Sequence, residues 1–210
     1  MRRAVFVAMT CLGLAACGDA GGRALTTYYD PEGHFTTSLP SVNSIQVTPP
    51  QPAATGPGLL TGVIASPPAP SPAPTAGFGG GMFQQQQAAD DQTIYEAFAF
   101  TTDTFDDLDA MSLYFLTGDP AIDVDQDDPI RVAGFPGRLI VATVTQDGTS
   151  TASIAAALTL GAGGTGYLVA AIFPPGEWDA ERDGFLDILD SFEPYVPPGA
   201  STFDLRSEPA

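Results

Sequence analysis

The chain has no lysine, one histidine (His34) and one tryptophan (Trp178). Its only cysteines, Cys11 and Cys17, lie close to the amino end. Seven arginines stand against 25 acidic residues, for a formal net charge of −18. Each scarcity removes a class of function. A polyanion without lysine repels nucleic acid and anionic membrane surfaces. One histidine cannot build a multi-histidine metal site. It could serve a Ser-His-Asp triad only beside a nucleophile context such as G-x-S-x-G, and the sequence contains none. His34, directly after a turn motif, therefore reads as structural or exposed. A single tryptophan speaks against a sugar cleft lined with aromatic platforms, although paired carboxylates for glycoside hydrolysis stay open. The apolar stretch Ala4–Ala16 is 13 residues long, too short to span a bilayer as a helix, which takes about 20.

That stretch follows Arg2-Arg3, a positive n-region, and suits a signal-peptide core. It ends in Leu14-Ala15-Ala16-Cys17, before the small, flexible run Gly18-Asp19-Ala20-Gly21-Gly22. Leu-Ala-Ala-Cys resembles the lipobox of bacterial lipoproteins. The resemblance implies cleavage before Cys17, diacylation of its sulfur and further acylation of the new amino terminus. A single myristoyl chain binds membranes only marginally, with K of about 10⁴ M⁻¹, whereas several chains anchor stably. With Cys11 removed and Cys17 acylated, no thiol remains for a disulfide or a cysteine-ligated metal. By resemblance to lipoproteins of the enterobacterial type, in which Asp after the cysteine signals inner-membrane retention, Gly18 at that position implies the outer membrane over the inner one. The expected address is the cell envelope, facing the periplasm or the exterior.

Residues 1–16 are thus expected to be a signal peptide and 17–24 a lipidated tether. Residues 25–195 follow as one domain, and 196–210 as a flexible tail. The composition, 44% apolar with 13 phenylalanines, predicts a packed core. Residues 66–92 break the pattern with Pro67-Pro68-Ala69-Pro70-Ser71-Pro72-Ala73-Pro74, Gly79-Gly80-Gly81 and Gln84–Gln87. This Pro/Gly/Gln-rich insertion is expected to be disordered, a spacer more than a proline-motif ligand.

Within the domain, strands are predicted at 24–29, 34–40, 44–47, 59–65 and 94–100. Asp30-Pro31-Glu32-Gly33 forms the first turn. A helix is expected over Phe105–Leu116, capped near Thr102–Thr104, with Asp106, Asp107 and Asp109 in its first turn. A three-strand antiparallel meander covers 139–145, 150–160 and 167–173, turned by Asp147-Gly148 and by the glycines of 161–166. A closing helix runs from about Trp178 to Phe192, with Phe185, Ile188, Leu189 and Phe192 on one face.

Three of these features together resemble the PsbP-like (Mog-like) α/β family. They are Tyr29-Asp30-Pro31-Glu32-Gly33-His34-Phe35-Thr36-Thr37-Ser38-Leu39-Pro40, the tyrosine-led strand Gly166-Tyr167-Leu168-Val169, and the closing Ile188-Leu189-Asp190-Ser191-Phe192. The resemblance implies an α+β fold with an antiparallel sheet flanked by helices. It brings no catalytic residues, and family members that act do so mostly by binding proteins.

Two motifs invite sharper readings. Gly161-Ala162-Gly163-Gly164-Thr165-Gly166 spells G-x-G-x-x-G, but a dinucleotide site needs a helix after it. A strand follows here, so the motif reads as a hairpin turn and no nucleotide is expected. Asp119–Asp128 reads as the densest acidic loop. Asp123, Asp125 and Asp127 open like an EF-hand, yet Asp128 and Gly134 occupy the positions of its required Gly and Glu, leaving at most an irregular Ca²⁺ site. Overall the sequence points to a membrane-anchored, non-catalytic envelope lipoprotein that binds or supports a protein partner, without a cofactor. A carboxylate-dependent hydrolase and a Ca²⁺-binding envelope protein are the alternatives.

Overall fold

A computed structural model describes residues 24–41, 43–51, 56–67 and 92–194. The leader, Cys17, the carboxyl-terminal tail and all but the ends of the 66–92 insertion lie outside the described residues. Among the described residues, ten strands and two α-helices appear in the order β1 (Leu25–Tyr29), β2 (Phe35–Pro40), β3 (Ser44–Thr48), β4 (Leu59–Ser66), β5 (Ile94–Thr101), α1 (Leu108–Ser112), β6 (Ile122–Val132), β7 (Phe135–Gln146), β8 (Thr149–Leu160), β9 (Thr165–Phe173), α2 (Trp178–Asp190) and β10 (Glu193–Pro194). A seven-stranded antiparallel sheet has the order β3-β4-β5-β9-β8-β7-β6. A smaller sheet, β1-β2-β10, is also antiparallel.

The central strands of the large sheet are buried on both faces, which explains why they read as nearly continuous apolar runs rather than alternating ones. One face carries Val63, Tyr95, Ala97, Ala155, Ala157, Tyr167, Val169 and Phe173. Phe185, Ile188 and Leu189 of α2 pack there, with Phe35 and Leu39 of the small sheet. The other face carries Ile64, Phe98, Phe100, Ile140, Ile154, Leu168 and Ile172, under Met111, Phe115 and Leu116. Alanines concentrate on β8, where a small side chain on either face lets a covering element approach. On the second face, a glycine makes room within the sheet for a large side chain of the adjacent strand. Gly62 pairs across the sheet with Phe98, and a Cβ on Gly62 would meet the Phe98 ring at 2.2 Å.

The turn after β1 closes as its sequence requires. The Gly33 N–H donates to the Asp30 carbonyl at 2.9 Å, with Gly33 at φ 76°. The glycine motif at 161–166 is the β8–β9 connection, and Leu160 pairs with Gly166 across it. The backbone takes positive φ at Gly163 and Gly164, values that glycine adopts without steric cost.

Three expectations need correction. The residues read as an acidic loop, 119–128, largely form β6, so the meander has four strands and not three. Aspartate disfavours strands on average, but β6 is an edge strand with much of its surface in water, where that preference weighs little. The predicted helix at Phe105–Leu116 is a short α1 running into a π-helical turn, Leu113–Thr117, in which the Gly118 N–H reaches the Leu113 carbonyl at 2.9 Å. Its cap is Asp107, whose side chain accepts from the Ala110 N–H at 2.8 Å. Starting there turns Met111, Phe115 and Leu116 onto the sheet. Finally, α2 ends at Asp190, and Phe192 packs from the segment beyond it.

Candidate functional site: an anionic sheet edge

β6 pairs only with β7 among the described residues and forms one border of the large sheet. Ile122 and Val124 pack against the face that α1 covers, while Ile130 and Val132 pack against the opposite one. The change of face has a local cause. The β6–β7 register shifts between Val124 and Gln126, so Asp125 is the extra residue of a bulge. On an unbroken strand, Asp123, Asp125 and Asp127 would all share a face, because side chains repeat every two residues. The bulge separates them. Asp123 stands opposite Thr143, and the Thr143 hydroxyl donates to Asp125 Oδ2 at 2.8 Å. Asp127 turns to the other side, opposite Ile140.

There Arg138 of β7 grips it. Arg138 Nε donates to Asp127 Oδ1 at 2.9 Å and Nη2 to Asp127 Oδ2, while Nη1 reaches Asp109 of α1. The hydrogen bond that Arg138 donates to Asp127 raises the guanidinium pKa above its ordinary value, with the charges of Asp127, Asp109 and Asp107 adding Coulombic support. The bidentate pair joins β7 to the edge strand, and the contact with Asp109 ties α1 to both. Asp128 accepts from Gln126 Nε2 at 2.7 Å, and Asp119 Oδ1 accepts from the Ala121 N–H at 2.9 Å. The three aspartates singled out from sequence are therefore divided between two faces, one of them paired with arginine. Among the described residues, no group of three or more His, Cys, Asp or Glu is placed to hold a metal ion.

What the edge offers is an anionic border. Asp103, Asp106, Asp107 and Asp109 lie before or on α1, and Asp119, Asp123, Asp125, Asp127 and Asp128 on or near β6. Arg131 and Arg138 are the arginines on β6 and β7.

Sequence reasoning missed two buried polar links away from this edge. Asp30, 6% exposed, accepts the Thr61 hydroxyl at 2.8 Å and the His34 N–H at 2.9 Å, joining the first turn to β4. The Tyr95 hydroxyl donates to Glu181 Oε2 at 3.0 Å beneath α2. Neither has a signal in sequence, since the partners are 31 and 86 residues apart.

Two tyrosines where the small sheet and α2 meet the large sheet are held protonated. Burial pushes the Tyr28 phenol up to about 12, with help from the Asp30 charge. Burial also pushes Tyr167 up to about 12 against the opposing hydrogen bond with Thr165. An unfolded tyrosine ionises near pH 10. Between the two values the unfolded chain holds fewer protons than the folded one, so stability falls as pH rises. Spectrophotometric titration at alkaline pH should show Tyr28 and Tyr167 still protonated well above pH 10, ionising only near pH 12. Thermal unfolding should stay level up to about pH 10 and weaken above it. Normal ionisation of both phenols, with the fold intact, would contradict their burial.

No protein-family model and no curated protein matches the chain. Solved structures do, and the cyanobacterial PsbP among them defines the class of fold as PsbP-like α+β. The solution structure of cyanobacterial PsbP (CyanoP) from Synechocystis sp. PCC 6803 superimposes with a TM-score of 0.50 at 13% identity, covering 87% of this chain and 99% of that one. Protein PA94 of unknown function from Pseudomonas aeruginosa aligns with a TM-score of 0.42 at 10% identity, covering 84% and 99%. LpqN of Mycobacterium tuberculosis, a protein involved in cell envelope biogenesis, aligns with a TM-score of 0.42 at 13% identity, covering 82% and 91%. At these identities the likeness is one of fold. Among the described residues, no helix is long and apolar enough to cross a membrane.

Proposed function

We propose that the chain is a lipid-anchored protein of the bacterial envelope, outer membrane favoured. In this reading its PsbP-like domain works by binding a protein partner and carries out no chemistry of its own. The anchor is Cys17, and the contact is the anionic edge built from β6 and the start of α1. The observation that carries the reading is the arrangement of that edge. Aspartates stand on both faces of one border strand, and Arg138 fixes the strand to α1. Such a border suits a cationic patch on another protein. It would steer association by long-range attraction, an effect that salt weakens. The lipobox supports the address, and several acyl chains would hold the domain at the membrane surface.

Each half has its own test. Metabolic labelling with an alkyne palmitate should mark the chain, and Cys17→Ser should abolish the label and release the protein into the soluble fraction. Label that persists in Cys17→Ser would remove the anchor. For the edge, Asp123→Asn, Asp125→Asn and Asp128→Asn together should change folding stability by no more than about 0.5 kcal/mol per site. The same triple variant should lose the partner that co-purifies with the detergent-solubilised parent, and added salt should displace that partner from the parent. Equal recovery at every salt concentration would dismiss the edge as the contact.

A further inference from the structure

The opposite border of the sheet has the reverse character. No residue from Phe35 to Ala89 carries a charge, and this stretch contains β2, β3 and β4. β3 closes the large sheet on that side and pairs only with β4 among the described residues. Ile45 and Val47 on it are 40% and 50% exposed, although they stand opposite Ala65 and Val63, which are fully buried. The two border strands are thus treated differently. β6 carries four aspartates, Pro129 and a bulge, features that block pairing with another strand. β3 is uncharged and pairs with β4 in unbroken register, with no such device before Pro49.

We propose that β3 is the two-fold interface of a homodimer, in which β3 of one copy pairs antiparallel with β3 of a second and the two sheets join. The sequence of β3 is self-complementary for this pairing. Centred on Gln46, it sets Ile45 of each copy against Val47 of the other, giving two β-branched pairs on one face. On the other face it sets Gln46 against its own copy, where each amide can both donate and accept.

Charge selects the occupant. Two copies of a chain with formal charge −18 repel, and approach through the α1–β6 side would place aspartates face to face. Approach through β3 keeps that border six strand spacings away on each copy, roughly 30 Å and several Debye lengths at physiological salt. The uncharged border is where a second copy meets least resistance, and it leaves the anionic edge outermost and available. The proposal does not depend on the anchor or on the partner of β6.

Oxidative cross-linking of the full chain in non-ionic detergent tests it, with the parent protein setting the background from Cys11 and Cys17. Gln46→Cys should give a disulfide-linked dimer, while Asp125→Cys and Glu32→Cys should not rise above the parent. Sedimentation should show a monomer–dimer equilibrium that shifts toward dimer as salt screens the net charge. Ile45→Asp with Val47→Asp, at positions already exposed in the monomer, should weaken it by roughly tenfold or more while the circular dichroism spectrum is unchanged. A chain that stays monomeric at all salt concentrations, with no Gln46→Cys cross-link, overturns the proposal. So does a dimer indifferent to the Asp pair. A monomer whose Gln46→Cys variant cross-links instead to a different protein also overturns it, assigning the border to a foreign strand.

Discussion

Phe192→Ala should lower folding stability by about 3–5 kcal/mol, the range for truncating a buried aromatic. Phe192 is 1% exposed. Its ring stacks on Phe35 of the small sheet at a centroid distance of 5.6 Å. It also meets Tyr167 of the large sheet edge-on at 5.5 Å. The residue before it works on the same joint. Ser191 Oγ accepts the Ser38 N–H at 2.8 Å and donates to the Ile188 carbonyl at 2.6 Å. One ring therefore holds three elements, the end of α2, β2 and β9, and its removal leaves a void that none of them can close alone. The cost should be near the top of the range because Phe35 and Tyr167 each lose an aromatic partner. Chemical denaturation of the full chain measures it. Phe192→Leu, which keeps most of the volume, should recover more than half of the loss. A change below about 1 kcal/mol for Phe192→Ala, the size typical of an average substitution, would mean that the small sheet is not fastened through this ring.

The same joint explains what could be read from the chain and what could not. Ile188-Leu189-Asp190-Ser191-Phe192 was recognisable because its helical spacing and its ending are local. The strands of the meander from Leu139 onward were recognisable because both faces are buried, so apolar residues run without interruption. β6 was not, because a border strand with a solvent side tolerates aspartate and proline. Its bulge at Asp125 also sends the apolar residues at 122 and 124 to one face and those at 130 and 132 to the other, and the polar run from Gln126 to Asp128 between them hides the alternation. The candidate site suffered most from this. Asp123, Asp125 and Asp127 are equally spaced in sequence and invite a shared ligand, yet one extra backbone residue sends the third to the opposite face. The closure of the small sheet by Glu193 and Pro194 was equally invisible, since two residues pairing with Thr36 and Phe35 leave no pattern. Buried polar links between distant segments belong to the same class. They are fixed by tertiary geometry that no window of sequence contains.

Asp30 is the most consequential of those links. Asp-Pro-x-Gly would turn the chain with an exposed aspartate, and many such turns have one. Here the carboxylate is buried and serves two donors, the Thr61 hydroxyl from the adjacent sheet and the His34 N–H across its own turn. Asp30→Ala should therefore cost about 3 kcal/mol, well beyond the loss of a turn preference. Thr61, 2% exposed, would keep a buried hydroxyl without its acceptor, and an orphaned buried donor costs about 1–3 kcal/mol. The His34 N–H would add its own loss. Asp30→Asn keeps an acceptor oxygen and should cost less. Thr61→Val removes the donor instead, leaving the carboxylate buried with one partner fewer. A double-mutant cycle between Asp30→Ala and Thr61→Val separates the pair from its surroundings. Because each change removes the other's partner, the double variant should be more stable than the sum of the two single effects allows, by about 1 kcal/mol or more. Strict additivity would show that the turn and β4 are held together by packing alone, with the hydrogen bond a bystander.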